Sequence, residues 1–402
     1  MKNKILLLVI IIFFSACEAN RTKKESSRNL SESVDVRYPY KIDLTKKYTE
    51  RRLCLNEIAN IEYIALETKD DVLVDGVFGM AVFDSCIVVC NFTKGDFLFF
   101  DRKGKFRNGF NRKGGSGEEY KRVYKWVFDN KNQEIFVYDN AMFKILVYYQ
   151  TGQFKREIRF PRNRWFEQLY NYDDNLLLAL IKDVSNYNLD IDPNNYVLIS
   201  KKNGETISPV KSVKKTVPTS FIWRSNGEDI YIKTPMGSII NEGEDFLLSD
   251  VSSDTIYLLK KNKQLTPFLV REPSVSGTNL PILLQVSLKT DKYVFMDQTV
   301  YNIESKDMND FFKGSKTIGI DIIKNEIFEP YFYNKDFPYY KSFNKITSFS
   351  PEYIGKNMGA KPIYAYILIE ALKNGELSGQ LKQIASTLHE DDNPVLMVLK
   401  FK

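Results

Sequence analysis

The sequence predicts an all-β fold, namely a six-bladed β-propeller with a short C-terminal helical decoration. Three observations lead to this fold class. The chain consists largely of short strands rich in Val, Ile, Tyr and Phe, one strand–turn–strand unit recurs along it, and the unit returns every 50–60 residues or so. Repeats of roughly 40–50 residues with four strands each are typical of propeller blades.

The recurring unit is a hairpin in which an apolar strand, a tight turn and a second strand follow one another. Gly and Asn suit the turn because they tolerate positive φ angles. Five copies, together with the sequence that flanks them, provide for six blades. Their predicted turn residues are Gly104, Gly152, Gly204, Asn262 and Asn325.

Ring closure and the helical decoration complete the predicted fold. Open sheet edges favour closure, and we expect a strand in residues 61–67 to pair with one in residues 395–402. Near the C-terminus, apolar residues recur at helical spacing and predict an amphipathic helix, preceded by a second helix at residues 365–372. The apolar positions are Leu377, Leu381, Ile384 and Leu388.

The N-terminus predicts export. Lys2 and Lys4 precede an apolar run at residues 5–14, which is too short to span a bilayer and fits the core of a signal peptide. The residues that follow resemble the lipobox of bacterial lipoproteins, which implies cleavage before Cys17 and attachment of lipid to it. The predicted division is a signal peptide at 1–16, a flexible tether at 17–36 and the propeller at 37–402.

Composition limits the partners. The polar, Ser-rich tether cannot bury enough apolar surface to fold. The net charge of the whole chain is +6, a mild imbalance for 402 residues, which argues against a nucleic-acid surface. We therefore expect contact with the membrane through the lipid, an outer-membrane location facing the periplasm or the cell surface, and no nucleic-acid partner.

Three cysteines remain after the lipid site. Cys86 and Cys90 lie four residues apart on a predicted strand, roughly 13 Å at about 3.3 Å per residue, which is too far for a disulfide. A bond from Cys54 to one of them and three free thiols both remain open.

The chain is similar to the six-bladed β-propeller lipoproteins of unassigned function that are common in bacteria with many outer-membrane lipoproteins, a group related to NHL-type propellers. The segments that carry the resemblance are residues 61–68, 100–120, 134–158, 368–381 and 392–402. It covers nearly the whole mature chain and implies a propeller at the outer membrane. It implies no reaction.

Catalytic motifs are scarce. The sole histidine, His389, ends the predicted C-terminal helix, so Ser-His-Asp and Cys-His sites and histidine-rich metal sites are nearly excluded. Residues 190–195 resemble the start of a calcium loop but lack its glycine and its final acid. The glycines at 114–117 lack the Lys-Ser/Thr of a phosphate-binding loop.

The glycine-rich turn is the most distinctive local feature. Arg112 precedes it, and Glu119 and Tyr120 end it. Successive glycines let backbone amides converge on an anion, which would make this turn a ligand site. The alternative is a crossover between blades in which Glu119 bonds neighbouring amides and Tyr120 packs between the blades.

Three tryptophans form a second candidate site. Trp126, Trp165 and Trp223 each precede a polar turn that we assign to the opening of a blade. Rings near the central channel could stack on a sugar or another flat ligand. The alternative is ordinary packing between blades.

Two functions follow. The first is a lipid-anchored binding or scaffold protein that uses a propeller face or the channel for a glycan, a peptide or an envelope protein, without cofactor or catalysis. The second is a Ca²⁺-dependent hydrolase or lyase with carboxylates converging on the channel. The expected inner-strand positions are mostly aromatic or basic, which favours the first.

Overall fold

The computed structural model describes residues 39–76, 78–161, 164–183, 194–214, 220–225, 228–233, 237–302, 305, 312–344 and 353–402. Contacts divide the chain into two units, of which the second comprises residues 36–402. The second unit is a six-bladed propeller in which strands make up 54% of the chain and helices 7%, so the predicted fold class is confirmed. No helix in the described part of the chain is long and apolar enough to cross a bilayer.

The strands in chain order are β1 (Tyr40–Asp43), β2 (Glu50–Cys54), β3 (Ala59–Ala65), β4 (Phe78–Val82), β5 (Cys86–Asn91), β6 (Asp96–Asp101), β7 (Phe106–Asn111), β8 (Lys125–Asp129), β9 (Glu134–Asp139), β10 (Lys144–Tyr149), β11 (Phe154–Arg159), β12 (Arg164–Asn171), β13 (Leu176–Asp183), β14 (Asn194–Ser200), β15 (Thr206–Val213), β16 (Ser220–Ser225), β17 (Glu228–Lys233), β18 (Gly237–Glu242), β19 (Asp245–Asp250), β20 (Thr255–Leu259), β21 (Leu265–Glu272), β22 (Ile282–Lys289), β23 (Tyr293–Tyr301), β24 (Phe312–Asp321), β25 (Glu326–Tyr333), β26 (Tyr353–Ile354), β27 (Met358–Ile363) and β28 (Val395–Phe401). The α-helices are α1 (Leu55–Ile58), α2 (Ala365–Lys373) and α3 (Gly379–Ala385).

Blades 1, 2, 3, 4 and 5 are antiparallel meanders made of β4–β7, β8–β11, β12–β15, β18–β21 and β22–β25. Their first strands contact each other between neighbouring blades, as β8 contacts β12 and β18 contacts β22, which places the first strands around the central axis. The structure departs from the sequence prediction at the fourth blade. The hairpin β16–β17 forms a sheet of its own, and blade 4 begins with β18.

Blade 6 closes the ring with strands from both ends of the chain. It has the order β27–β28–β3, and β28 pairs with β3 in antiparallel register, with Met397 opposite Tyr63. The predicted pairing of residues 61–67 with residues 395–402 is therefore confirmed.

The N-terminal segment adds a feature that the repeat pattern did not predict. β1 pairs in parallel with β21, the outer strand of blade 4, and β2 pairs in parallel with β25, the outer strand of blade 5. Ile42 and Leu53 turn inward and are buried, which accounts for the attachment. We call residues 40–54 the belt.

The apolar core lies between adjacent blades. On β8, Trp126 and Phe128 pack with residues of blade 1, whereas Val127 packs with residues of blade 3. This alternation follows from the period of two along a strand. Each blade is therefore buried on both faces, which explains its long apolar runs.

The helical decoration forms between β27 and β28. Leu368 of α2 and Leu381 of α3 are fully buried in the core of blades 5 and 6. The second predicted helix is shorter than its apolar pattern. It ends at Ala385, where the hydroxyls of Ser386 and Thr387 donate to backbone carbonyls of the preceding turn.

Cys54, Cys86 and Cys90, which all lie in the described part of the chain, form no disulfide. Of the two arrangements that the sequence left open, the structure has the one without a disulfide.

Candidate functional site

The two ends of the propeller differ in their connections. Within a blade, the turns from first to second strand and from third to fourth strand lie at one end, which we call the short-turn end. The connections between blades lie at the other, which we call the connection end. Surface loops positioned by a rigid scaffold commonly carry function.

At the short-turn end, residues 353–357 pass from blade 1 towards blades 4 and 5. β26 pairs in parallel with the inner strand β4, and the Tyr353 ring stacks on Phe83 of blade 1 with centroids 4.4 Å apart. Farther along, Lys356 Nζ lies 2.7 Å from Asp291 Oδ1 of blade 5, and its stem lies beside Gly243 of blade 4. The segment therefore links turns of three blades around the channel mouth.

A buried ion pair lies beside this segment. Glu242 Oε2 is 2.5 Å from Lys289 Nζ, and the two side chains are 4% and 11% exposed. Burial raises the pKa of Glu242, although Lys289 and Lys356 oppose this. Within the described part of the chain, no donor bonds the other carboxylate oxygen, Glu242 Oε1.

The calcium alternative requires converging carboxylates. Among the residues that the structure describes, no three Asp, Glu, His or Cys side chains lie close enough to hold a metal ion. Most of the calcium-like segment, residues 190–193, lies outside the described residues.

A small cleft lies between the inner strands of blades 1, 2 and 3. The volume open to a water-sized molecule is about 10 Å³, and Tyr353 forms part of the wall. The indole N–H of Trp126 and the amide oxygen of Asn171 belong to lining residues and make no hydrogen bond with any residue that the structure describes. One donor and one acceptor in a site of this size suit an ordered water molecule.

The structure does not bring the three tryptophans together on one ligand surface. Trp126 is 3% exposed and meets Phe97 of blade 1 edge-on at 5.6 Å. Trp165 is half-buried and meets Tyr124 edge-on at 5.5 Å. The side chain of Trp223 lies outside the described residues. Trp126 thus has the surroundings expected for packing between blades, and a ligand role for these rings stays a prediction.

The glycine-rich turn surrounds its own carboxylate. Glu119 Oε2 accepts a hydrogen bond from the Ser116 amide at 2.8 Å. A Cβ atom on Gly114 would lie only 2.1 Å from the same oxygen. Hydrogen bonds from Ser116 and Gly115, and the charge of Arg112, hold the pKa of Glu119 below its usual value. An external anion would have to displace this carboxylate.

Tyr120 joins the turn to the blades. The ring is fully buried, its hydroxyl donates to Gly95 O at 2.6 Å, and the Arg112 amide donates to that hydroxyl at 2.9 Å. Arg112 Nε donates to Gly152 O in blade 2 at 2.8 Å. The geometry matches the crossover interpretation. A ligand role for Arg112, Glu119 and Tyr120 stays a prediction.

A group of tyrosines beside blade 6 was not predicted from the sequence as a candidate site. Tyr339 is 75% exposed and Tyr366 is 55% exposed. The Tyr364 and Tyr366 rings stack at 5.9 Å with planes 18° apart. Burial, with the nearby hydroxyls of Tyr366 and Tyr340, raises the pKa of Tyr364. We call Tyr339, Tyr340, Tyr364 and Tyr366 the tyrosine surface.

The base of the tyrosine surface is firmly packed. The Tyr340 ring stacks on the buried Phe337 at 4.7 Å, with planes 5° apart. Lys361 Nζ lies 5.5 Å from the Tyr340 centroid, and burial lowers the pKa of Lys361 to about 8. The Tyr364 hydroxyl donates to Gly76 O at 3.3 Å. The signal that could have revealed this site is the density of Tyr at 339–340 and 364–366, outside the regular strands.

Comparisons with known proteins identify a family model and several solved structures that this chain is similar to. A family profile described as a domain of unknown function, DUF4934, matches residues 39–400. A Bacteroides fragilis protein described as exported is 16% identical, with a TM-score of 0.61 over 91% of this chain and 100% of that one. A DUF4221 family member from Bacteroides vulgatus is 11% identical, with a TM-score of 0.43 over 86% and 98%. Virginiamycin B lyase from Staphylococcus aureus is 10% identical, with a TM-score of 0.38 over 85% and 99%. No curated protein matches the sequence.

Proposed function

Because the chain belongs to the DUF4934 family, a domain of unknown function, we propose a function from its own residues: it is a lipid-anchored protein of the bacterial envelope that binds a glycan on the tyrosine surface. The observation that carries this proposal is the exposure of Tyr339 and Tyr366 next to rings that are held in place. Contiguous exposed aromatic surface on a folded protein commonly marks an interaction site.

The chemistry of the surface favours a glycan. Tyrosine offers a flat apolar ring for the C–H face of a sugar and a hydroxyl for hydrogen bonding, with little loss of side-chain entropy. Stacking of Tyr340 on Phe337 and of Tyr364 on Tyr366 keeps the rings ordered before binding, which reduces the cost of association.

The lipid anchor rests on the N-terminal sequence. The short apolar run at 5–14, followed by Ser15, Ala16 and Cys17, supports export and lipid attachment at Cys17. The exported Bacteroides fragilis protein with a similar fold is consistent with this location. Labelling of cells with a radioactive fatty acid should mark the wild-type chain and leave the Cys17→Ser variant unlabelled.

The glycan proposal is tested with chain 17–402 carrying Cys17→Ser, run by native electrophoresis in gels that contain laminarin, xylan, mannan or dextran. We expect at least one polysaccharide to retard the protein, and Tyr339→Ala/Tyr366→Ala to weaken that retardation more than tenfold. Tyr149→Ala/Tyr331→Ala is the matched control, because both tyrosines are 37% exposed elsewhere on the propeller. Absence of retardation by all four polysaccharides, or an equal loss in the control, would refute the proposal.

A further inference from the structure

The belt presents a basic outer surface on blades 4 and 5. In β1 the buried residues alternate with more exposed ones, whereas in β2 the first three residues are exposed or half-buried and the last two are buried. The exposed basic residues are Lys41, Lys46, Lys47 and Arg52. Lysines 46 and 47 lie in the loop that passes from blade 4 to blade 5.

Some acidic residues on this surface form ion pairs with basic residues of the belt. Asp43 is 3.6 Å from Lys46, and Glu326 pairs with Arg51, which also bonds the buried Asp321 at 3.1 Å. Glu50 is exposed. The exposed basic side chains, Lys41, Lys46, Lys47, Arg52 and the neighbouring Lys324, outnumber the exposed acidic ones, Glu50, Glu272 and Glu326, by two.

Apolar and aromatic groups lie in the same region. Ile323, 59% exposed, and the exposed Lys324 belong to the turn between β24 and β25, whose ends bond Arg51 of the belt through Asp321 and Glu326. Tyr331 is 37% exposed, and the Arg52 guanidinium lies 5.3 Å from its centroid.

The proposed anchor attaches next to this surface. The belt begins at Tyr40, and 22 residues (18–39) separate Tyr40 from Cys17. A polar tether of that length has an end-to-end distance of roughly 25 Å. Lipid attachment at Cys17 would therefore keep the outer edge of blade 4 close to the bilayer.

We propose that the belt, together with Ile323, Lys324 and Tyr331, rests on an anionic phospholipid surface and orients the propeller edge-on to the membrane. Lysine and arginine near such a surface are attracted by its negative potential. A tyrosine and an exposed isoleucine beside them suit the interfacial zone, where aromatic and apolar groups partition. The inference rests on the proposed envelope location and is independent of glycan binding.

The test uses chain 17–402 with Cys17→Ser, so that no lipid contributes, and cosedimentation with vesicles. The vesicles contain either phosphatidylethanolamine and phosphatidylglycerol at 70:30 or zwitterionic lipids alone. We expect binding only to the anionic vesicles, and its loss in 0.5 M NaCl, because exposed charges are screened. Lys41→Gln/Lys46→Gln/Lys47→Gln should weaken binding on the order of 100-fold, at about tenfold or less per lysine.

The matched control is Lys103→Gln/Lys121→Gln/Lys202→Gln, which removes the same charge from exposed lysines near blades 1, 2 and 3. It should bind like the parent chain, whereas Ile323→Ser should reduce binding without changing its salt dependence. No binding to anionic vesicles, or an equal loss in both triple variants, would overturn the inference. Retardation by polysaccharide, measured on the same variants, distinguishes this failure from failure of the glycan proposal.

Discussion

Lys201 in blade 3 places its Nζ atom 2.5 Å from Asp129 Oδ2 in blade 2, and the two side chains are 6% and 2% exposed. The same ammonium donates to Asp173 O at 2.6 Å. Asn132 Nδ2 donates to Asp129 Oδ2 at 2.9 Å, so both charges have further partners. The pair joins two blades where water is excluded.

Removing the Lys201 ammonium group should destabilise the protein strongly. We expect Lys201→Met to lower the free energy of unfolding by about 3–5 kcal/mol, because it leaves the buried carboxylate of Asp129 without its cation. Urea denaturation measures the loss. The control is Lys131→Met, whose partner Asp174 is well exposed, and it should cost no more than about 1 kcal/mol. Equal losses would contradict this account of the pair.

The same pair predicts a dependence on pH. Burial by itself raises the pKa of Asp129, but hydrogen bonds from Lys201 and Asn132 outweigh it and hold the pKa below its usual value. The resulting stability is fully present above the unfolded-state pKa of about 3.9 and is lost as the pH falls through the lower folded-state pKa. The difference between wild type and Asp129→Asn in urea denaturation should therefore shrink below about pH 4. A constant difference from pH 7 to pH 3 would exclude this linkage.

Tyr120 should stabilise the crossover mainly through its hydroxyl. Tyr120→Phe keeps the packing but leaves Gly95 O and the Arg112 amide without that partner, so we expect a loss of about 1–3 kcal/mol. Tyr339→Phe, at an exposed position, should change stability by less than about 0.5 kcal/mol. Thermal unfolding followed by circular dichroism compares the two. Similar melting temperatures would mean that the hydroxyl of Tyr120 contributes nothing.

A side chain at position 114 should affect the free energy of unfolding only by displacing the carboxylate of Glu119. Gly114→Ala moves the carboxylate away from the Ser116 amide and should cost about 1 kcal/mol. Gly115→Ala is the control, because a Cβ atom there meets nothing within 4 Å. In a Glu119→Ala background, Gly114→Ala should have no further effect on urea denaturation. Additive losses would show that the alanine disturbs something other than this carboxylate.

Variants of Trp126 distinguish a role in packing between blades from a role in ligand binding. Trp126→Ala should cost about 3–5 kcal/mol in urea denaturation, as expected for a large buried ring. Trp165→Ala should cost less, because Trp165 is only half-buried. If Trp126→Phe abolished retardation by a polysaccharide while stability stayed unchanged, the channel-stacking hypothesis would gain support over packing.

Local chemistry made most of the blades predictable. Four of the five predicted turn residues have positive φ angles, namely 80° at Gly104, 82° at Gly152, 76° at Gly204 and 53° at Asn325. In the remaining turn, the positive φ of 68° falls on Lys263, one residue after the predicted Asn262. A hairpin turn is a short-range signal, so its position can be read from a few residues.

The features that the sequence did not predict depend on distant pairing or on exposure. Tyr40 pairs with Leu269, and Tyr353 pairs with Ala81, without any turn between the strands to indicate the register. The exposure of Tyr339 follows from the packing of the surrounding chain, and composition does not distinguish it from the buried Tyr120. The tyrosine surface is therefore a property of the folded chain, and the sequence alone does not reveal it.

The belt has a consequence for biogenesis. β1 and β2 leave the ribosome early, yet the strands that receive them are β21 and β25, and β3 needs β28 at the very end of the chain. β1 can pair once residues 265–272 have been made and β2 once residues 326–333 have been made, whereas β3 waits for residues 395–401. Ring closure therefore requires β28, so the complete propeller can form only after residues 395–401 have been synthesised.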